Sequence, residues 1–156
     1  MRNRSGITII EILIAIFIAG IIASLSVISY HKWQQQVQLI NARDELTSAI
    51  SRTQQLATAA AENTAWGLHL EKNHYIMFSG DYYNENNPLN RSWNLNGVQI
   101  INASTTFADG AGSYIPDVVF GKFTGQTSNT GTIMFSSLSD LNITRTVSIN
   151  SSGQTY

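Results

Sequence analysis

The sequence has no cysteine, which removes disulfide staples and every thiolate metal site at once. Proline is nearly absent: Pro88 and Pro116 are the only two, so no fixed φ interrupts the first half of the chain. Charge is sparse as well. Only 12% of residues are charged and the formal net charge is −1, which leaves no electrostatic footprint for nucleic acid. Asn, Ser and Thr are plentiful where Lys and Glu are few, a composition that suits an exposed β-rich body better than a helical cytosolic enzyme. A length of 156 residues allows one ordinary domain and an additional segment.

What the sequence does have is one long apolar run. Over residues 7–28 only Thr8, Glu11, Gly20, Ser24 and Ser26 interrupt it. As a helix the run rises roughly 33 Å, enough to cross a hydrocarbon core. Arg2 and Arg4 precede it, and positive charge stays on the cytoplasmic side. The expected topology is therefore N-terminus inside and everything after Ile28 outside. Three ordinary readings compete: a secretory signal peptide with Ser24 and Ser26 at its cleavage site, an uncleaved signal anchor, and a buried core helix. None accounts for Glu11, because a carboxylate within such a run costs a few kcal/mol, about 2.5–3.5 on insertion scales.

The string Ser5-Gly6-Ile7-Thr8-Ile9-Ile10-Glu11 resembles the prepilin processing motif of type IV pilins and type II secretion pseudopilins. A short basic leader, a glycine, an apolar run and one glutamate coincide in register. The resemblance implies that a prepilin peptidase cuts between Gly6 and Ile7 and that Ile7, where the family usually has Phe, is then N-methylated. It also implies that Glu11, the fifth residue after the cut, faces the free amine of a neighbouring subunit during assembly. Such a pair in low dielectric offsets much of its own desolvation and fixes axial register. The chain departs from many major pilins in lacking a helix-breaking proline near Ile28; Gly20 is the one weak point of the anchor.

After Ile28 the pattern becomes amphipathic. Leu39, Ala42, Leu46, Ala49, Thr53, Leu56 and Ala60 step by three and four, with Ile50 and Ala57 widening the face. Asn41, Arg43, Asp44, Thr47, Ser48, Arg52, Gln55 and Glu62 lie opposite. The spacing predicts one helix over about 8–63, its small residues packing on a sheet of the same chain in preference to a coiled-coil seam.

From Thr64 the signal is β. Residues 64–71 and 74–79 flank Lys72-Asn73 as a hairpin, with Glu71 opposite His74 and His69 opposite Ile76. Residues 80–96 read as an Asn-rich loop containing Pro88, and residues 103–114 as a second loop. Further strands are expected at 97–102, 117–123, 131–136 and 145–150, with 124–130 as the turn between the second and third of these. The fold class is α+β: one long N-terminal helix, transmembrane in its first half, packed on a C-terminal antiparallel sheet or small sandwich. The tail VVFGKFTGQTSNTGTIMF and TRTVSINSSGQ resembles the H-type minor pseudopilins and related minor pilins, with Ile149 and Gly153 in their I-x-x-x-G close. The expected organisation is a leader at 1–6, a transmembrane and filament-core half-helix at 7–28, an amphipathic half-helix at 29–63 and a β-rich body at 64–156.

No catalytic constellation stands out, and no cofactor or metal is expected. His69 and His74 are offset along the hairpin with no third ligand nearby, which argues against zinc. The resemblance leaves open a calcium loop on Asp109, Asp117 and Asp140, of the kind some major pseudopilins hold near their C-terminus, but their spacing matches no EF-hand and loop aspartates are usually solvated; Gly110-Ala111-Gly112 lacks the strand-to-helix context of a phosphate loop. His31 falls where a headgroup contact is expected, and Tyr82, Tyr83 and Trp93 are expected to cap the sheet. Taken with the resemblance, the sequence reads as a minor pilin or pseudopilin, not an enzyme. The resemblance implies as partners other pilins or pseudopilins, the prepilin peptidase, the inner-membrane assembly platform and, before assembly, membrane lipid. The rival reading is a pilus-tip binding module, an adhesin or a DNA-uptake pilin. Nucleic acid is not an expected partner: losing Arg2 and Arg4 makes the processed chain more acidic, and residues 127–156 contain only Arg145.

Overall fold

The computed structural model describes residues 6–101 and 117–156, and for residues 25–29 the backbone alone. The chain divides into two compact units, Met1–Gln35 and Gln36–Tyr156. Helix α1, Ile9–Thr58, belongs to both. No Gly or Pro ends it, which is why the sequence predicts a longer helix. It stops because Ala60 takes the left-handed conformation at φ 49 and its N–H donates to Ala57 O at 3.0 Å, tightening the last turn. A short 3₁₀ turn follows, Ala61–Asn63, in which Glu62 and Asn63 also have positive φ. Such residues cost roughly 1–2 kcal/mol each outside glycine. The turn is tied down from both sides: Trp66 Nε1 donates to Ala61 O at 3.0 Å, and Lys122 Nζ to Asn63 Oδ1 at 2.6 Å.

Among the described residues the second unit holds seven strands in two antiparallel sheets. They are β1 (Trp66–Leu70), β2 (His74–Ser79), β3 (Arg91–Asn94), β4 (Val98–Ile100), β5 (Asp117–Phe120), β6 (Gly131–Ser137) and β7 (Thr144–Ile149). The sheet orders are β3-β2-β1-β5 and β4-β6-β7. The β1–β2 hairpin has the expected register, with His69 opposite Ile76, and Glu71 N–H donates to His74 O at 3.0 Å.

Two expectations are corrected. Strand β3 lies inside the stretch 80–96 that reads as loop. Arg91, Ser92 and Asn94 are exposed and polar, so no alternation marks them; the strand is held through Trp93, which pairs with Tyr75 and stacks on its ring at 5.6 Å. Residues 124–130 are not a hairpin turn, because β5 pairs with β1 while β6 pairs with β4 and β7. The expected loop at 103–114 lies outside the described residues.

The core joins the Gln36-onward part of α1 to both sheets: Leu39, Leu46 and Ile50 cluster with Leu68, Tyr75, Val98, Phe120, Ile133, Phe135 and Val147. The centre of the helical face is Leu39, Ala42, Leu46, Ile50, Thr53 and Ala57, all buried, while Ala49 and Leu56 flank it. The expected stripe is thus turned by one position past Leu46. Thr53 keeps its hydroxyl satisfied inside that core by donating to Ala49 O at 2.7 Å.

Candidate functional site

The chemistry implied by the processing motif falls at the start of α1. Gly6 stands before the helix with nothing within 4 Å of where a Cβ would project. Ile7 follows, 74% exposed. The Thr8 carbonyl accepts from the N–H groups of Glu11 at 3.1 Å and Ile12 at 3.4 Å, opening the helix. Glu11 lies in the first turn, where a carboxylate favours the positive end of the helix dipole by roughly 0.3–1 kcal/mol. Thr8-x-x-Glu11 also has capping-box spacing, a signal that the processing motif overshadows. No side-chain bond joins the two residues, and the Glu11 carboxylate has no hydrogen bond or ion pair among the described residues.

Thr8 apart, the described side chains around this carboxylate are exposed and apolar. Ile9, Ile10, Leu13, Ile16, Phe17 and Ile22 point to different sides of α1 and are all open. A helix that is apolar all round needs lipid or other helices about it. Among the described residues no helix is long and apolar enough to cross a membrane. Farther along, Tyr30, His31 and Trp33 form an exposed ring cluster, with Tyr30 at 6.3 Å from His31 and 6.0 Å from Trp33 between centroids.

A second constellation lies on the outer face of the four-stranded sheet. His69 Nδ1 meets Asp117 Oδ1 at 2.5 Å across the β1–β5 pairing, and its Nε2 is 3.6 Å from Glu71 Oε1. His74 Nε2 is 3.5 Å from the other oxygen of Glu71. Glu71 thus spans the two histidines, and Asp117 closes the far side of His69. The sequence hides this because Asp117 arrives from a strand distant in the chain. Each oxygen of Glu71 faces its own ring, so the donors do not converge, and among the described residues no three His, Asp or Glu side chains are arranged to hold a metal ion.

Tyr83 stacks flat on His69, 4.0 Å between centroids, and meets Phe78 edge-on at 5.7 Å. Partial burial, then Glu85, Glu71 and Asp117, push its phenol pKa up. Phe78 in turn lies over Gly67, where a Cβ would stand 2.5 Å from the ring. Tyr83 and Trp93 thus cap opposite faces of the sheet, as expected, while Tyr82 is 75% exposed. Asp140 shapes its own turn, accepting from Asn142 N–H at 3.0 Å. Asp109 and Gly110-Ala111-Gly112 lie outside the described residues.

The family description "Prokaryotic N-terminal methylation motif" matches residues 1–27. No curated protein is similar enough in sequence to match. Among solved structures, the type IV minor pilin FimU of Pseudomonas aeruginosa (strain PAO1) is similar in fold, with a TM-score of 0.55 at 14% identity over 76% of this chain and 90% of that one. A prepilin-type methylation motif thus leads into the fold of a type IV minor pilin, and the two findings bear out the resemblance of this chain to the type IV pilin family.

Proposed function

We propose that this chain is a minor pilin: a structural subunit cut between Gly6 and Ile7, N-methylated at Ile7 and built into an extracytoplasmic filament through α1. The observation that carries this reading is the placement of Glu11. It stands one turn into an exposed helix, apolar on every side, with a processing motif in register before it. The helix dipole returns roughly 0.3–1 kcal/mol to that carboxylate. At the centre of a membrane helix a charged side chain costs about 2.5–3.5 kcal/mol, and an anchor alone gains nothing by carrying one. The amine created at Ile7 of a neighbouring subunit supplies the missing partner.

Before assembly the same helix serves as a single-pass anchor in the inner membrane, N-terminus cytoplasmic and body extracytoplasmic. The exposed Tyr30, His31 and Trp33 rings suit the headgroup level where that anchor ends. The assembly platform and other pilins or pseudopilins are then its partners, and the role is structural, not enzymatic. Mass spectrometry of the membrane-extracted protein tests the reading. It is expected to give a chain starting at N-methylated Ile7. A mature start at Val27 marks ordinary signal cleavage and overturns the proposal.

A further inference from the structure

Arg52 of α1 and Arg91 of β3 line one cleft of the second unit, together with Leu56, Met77, Leu89 and Asn90. Its volume is about 250 Å³, the share of roughly eight liquid waters. The two arginines reach the cleft from different elements. Arg91 is two residues from Trp93 and so shares its face of β3, the face on which Trp93 stacks over Tyr75. Arg52 projects from the helix one turn before Leu56. Both arginines are exposed, and neither has a hydrogen bond or ion pair among the described residues, whereas Arg43 pairs with Asp44 at 3.9 Å. Glu62 lines the same cleft without pairing to either.

The rim adds a strand edge. Asn90 Nδ2 donates to Asn84 O at 2.8 Å, which pins the turn before β3. Among the described residues strand β3 is the outer strand of its sheet. Leu95 N–H donates to Asn73 O at 2.8 Å. By the antiparallel alternation, Trp93 and Arg91 then turn their backbone groups to β2, while Ser92 and Asn94 turn theirs outward.

Two unpaired guanidiniums, an apolar wall and an open strand edge together fit one kind of ligand. We infer that this cleft binds the C-terminal carboxylate of an extended peptide from another protein. The carboxylate accepts from Arg52 and Arg91, a charge-assisted pairing suited to the guanidinium fork. An apolar last side chain rests on Leu56 and Leu89, and the preceding residues run beside β3. Tyr156 is not that ligand, because it exchanges two 3.1 Å backbone hydrogen bonds with Ser148 on β7.

The test is independent of filament assembly. The full-length protein in detergent is titrated into a fluorescein-labelled pentapeptide pool, random in four positions and ending in leucine, made as free acid and as amide. Saturable binding of the acid is expected, with the amide weaker by at least about tenfold. Arg52→Gln and Arg91→Gln should each weaken the acid by a similar factor while thermal unfolding stays unchanged, since both side chains are exposed. Equal binding of acid and amide, wild-type affinity in both Gln variants, or no saturable binding tighter than about 1 mM overturns the inference.

Discussion

Gln54 Nε2 donates to the Gly125 carbonyl at 2.9 Å and, with its other hydrogen, to Ser152 O at 2.7 Å. One helical side chain thereby ties two distant turns to α1. Both turns need glycine there. Gly125 (φ +63) and Gly153 (φ +77) are left-handed, and a Cβ on Gly153 would stand 2.5 Å from Gln54 Nε2 and 2.7 Å from Gly125 O. Gly153→Ala therefore combines backbone strain with a clash, part of it against backbone. A loss of about 2–4 kcal/mol is expected, read as a lowered denaturation midpoint. Gln54→Ala, which removes two hydrogen bonds without strain, should cost less, about 1–3 kcal/mol. Equal stability of Gly153→Ala and wild type contradicts this account.

Gly67 and Phe78 form a second tight pair. Phe78 is buried over the site a Gly67 side chain would take, and three ring atoms lie within 3.0 Å of that Cβ position. Gly67→Ala should destabilise by about 1–3 kcal/mol. In a Phe78→Ala background most of that cost should vanish, since the ring is what it strikes. Additive energies in the double-mutant cycle would place the cost elsewhere.

Tyr75 sets an alkaline limit. It is 1% exposed, and burial, followed by the charge of Glu45, raises its phenol pKa well above 10. A group raised on folding contributes stability that is fully present below its unfolded pKa, about 10 for tyrosine, and is lost as pH rises through the native value. The guanidinium midpoint should therefore fall from about pH 10 upward, and Tyr75→Phe should remove that part of the slope. An identical slope in the variant assigns the effect to other tyrosines.

The second unit should fold without the apolar segment. Its buried core residues run from Leu39 to Ile149, and the compact unit begins at Gln36. A chain starting at Tyr30 is expected to be soluble, with a cooperative thermal transition. Aggregation or a non-cooperative melt would move the boundary.

Glu11→Gln tests the proposed assembly role. Cleavage and membrane insertion should persist, since removing the charge lowers the insertion cost. Incorporation into sheared filaments, relative to the membrane pool, should fall steeply, because an unpaired buried amine costs about 3–5 kcal/mol. Glu11→Asp should do partial harm, keeping the charge with a shorter reach. An unchanged filament-to-membrane ratio in Glu11→Gln removes the pairing with Ile7.

What the sequence determined by itself is what depends on neighbours along the chain. Helix periodicity from Leu39, the Lys72-Asn73 hairpin with its register, and the leader, glycine and glutamate of the N-terminus are all local patterns, set by 3.6-residue and two-residue repeats or by fixed spacing. Tertiary structure decided the rest. The helix ends at Thr58 because Ala60 turns left-handed, in a turn that Trp66 ties down at Ala61 and Lys122 at Asn63. Strand β3 exists because Trp93 finds Tyr75. Asp117 meets His69, and Gln54 reaches Gly125 and Ser152, only because chain segments far apart in sequence are brought together by two sheets sharing one helix. Such contacts form only once the core has closed the long loops between them, and loop closure leaves no periodic mark in the sequence.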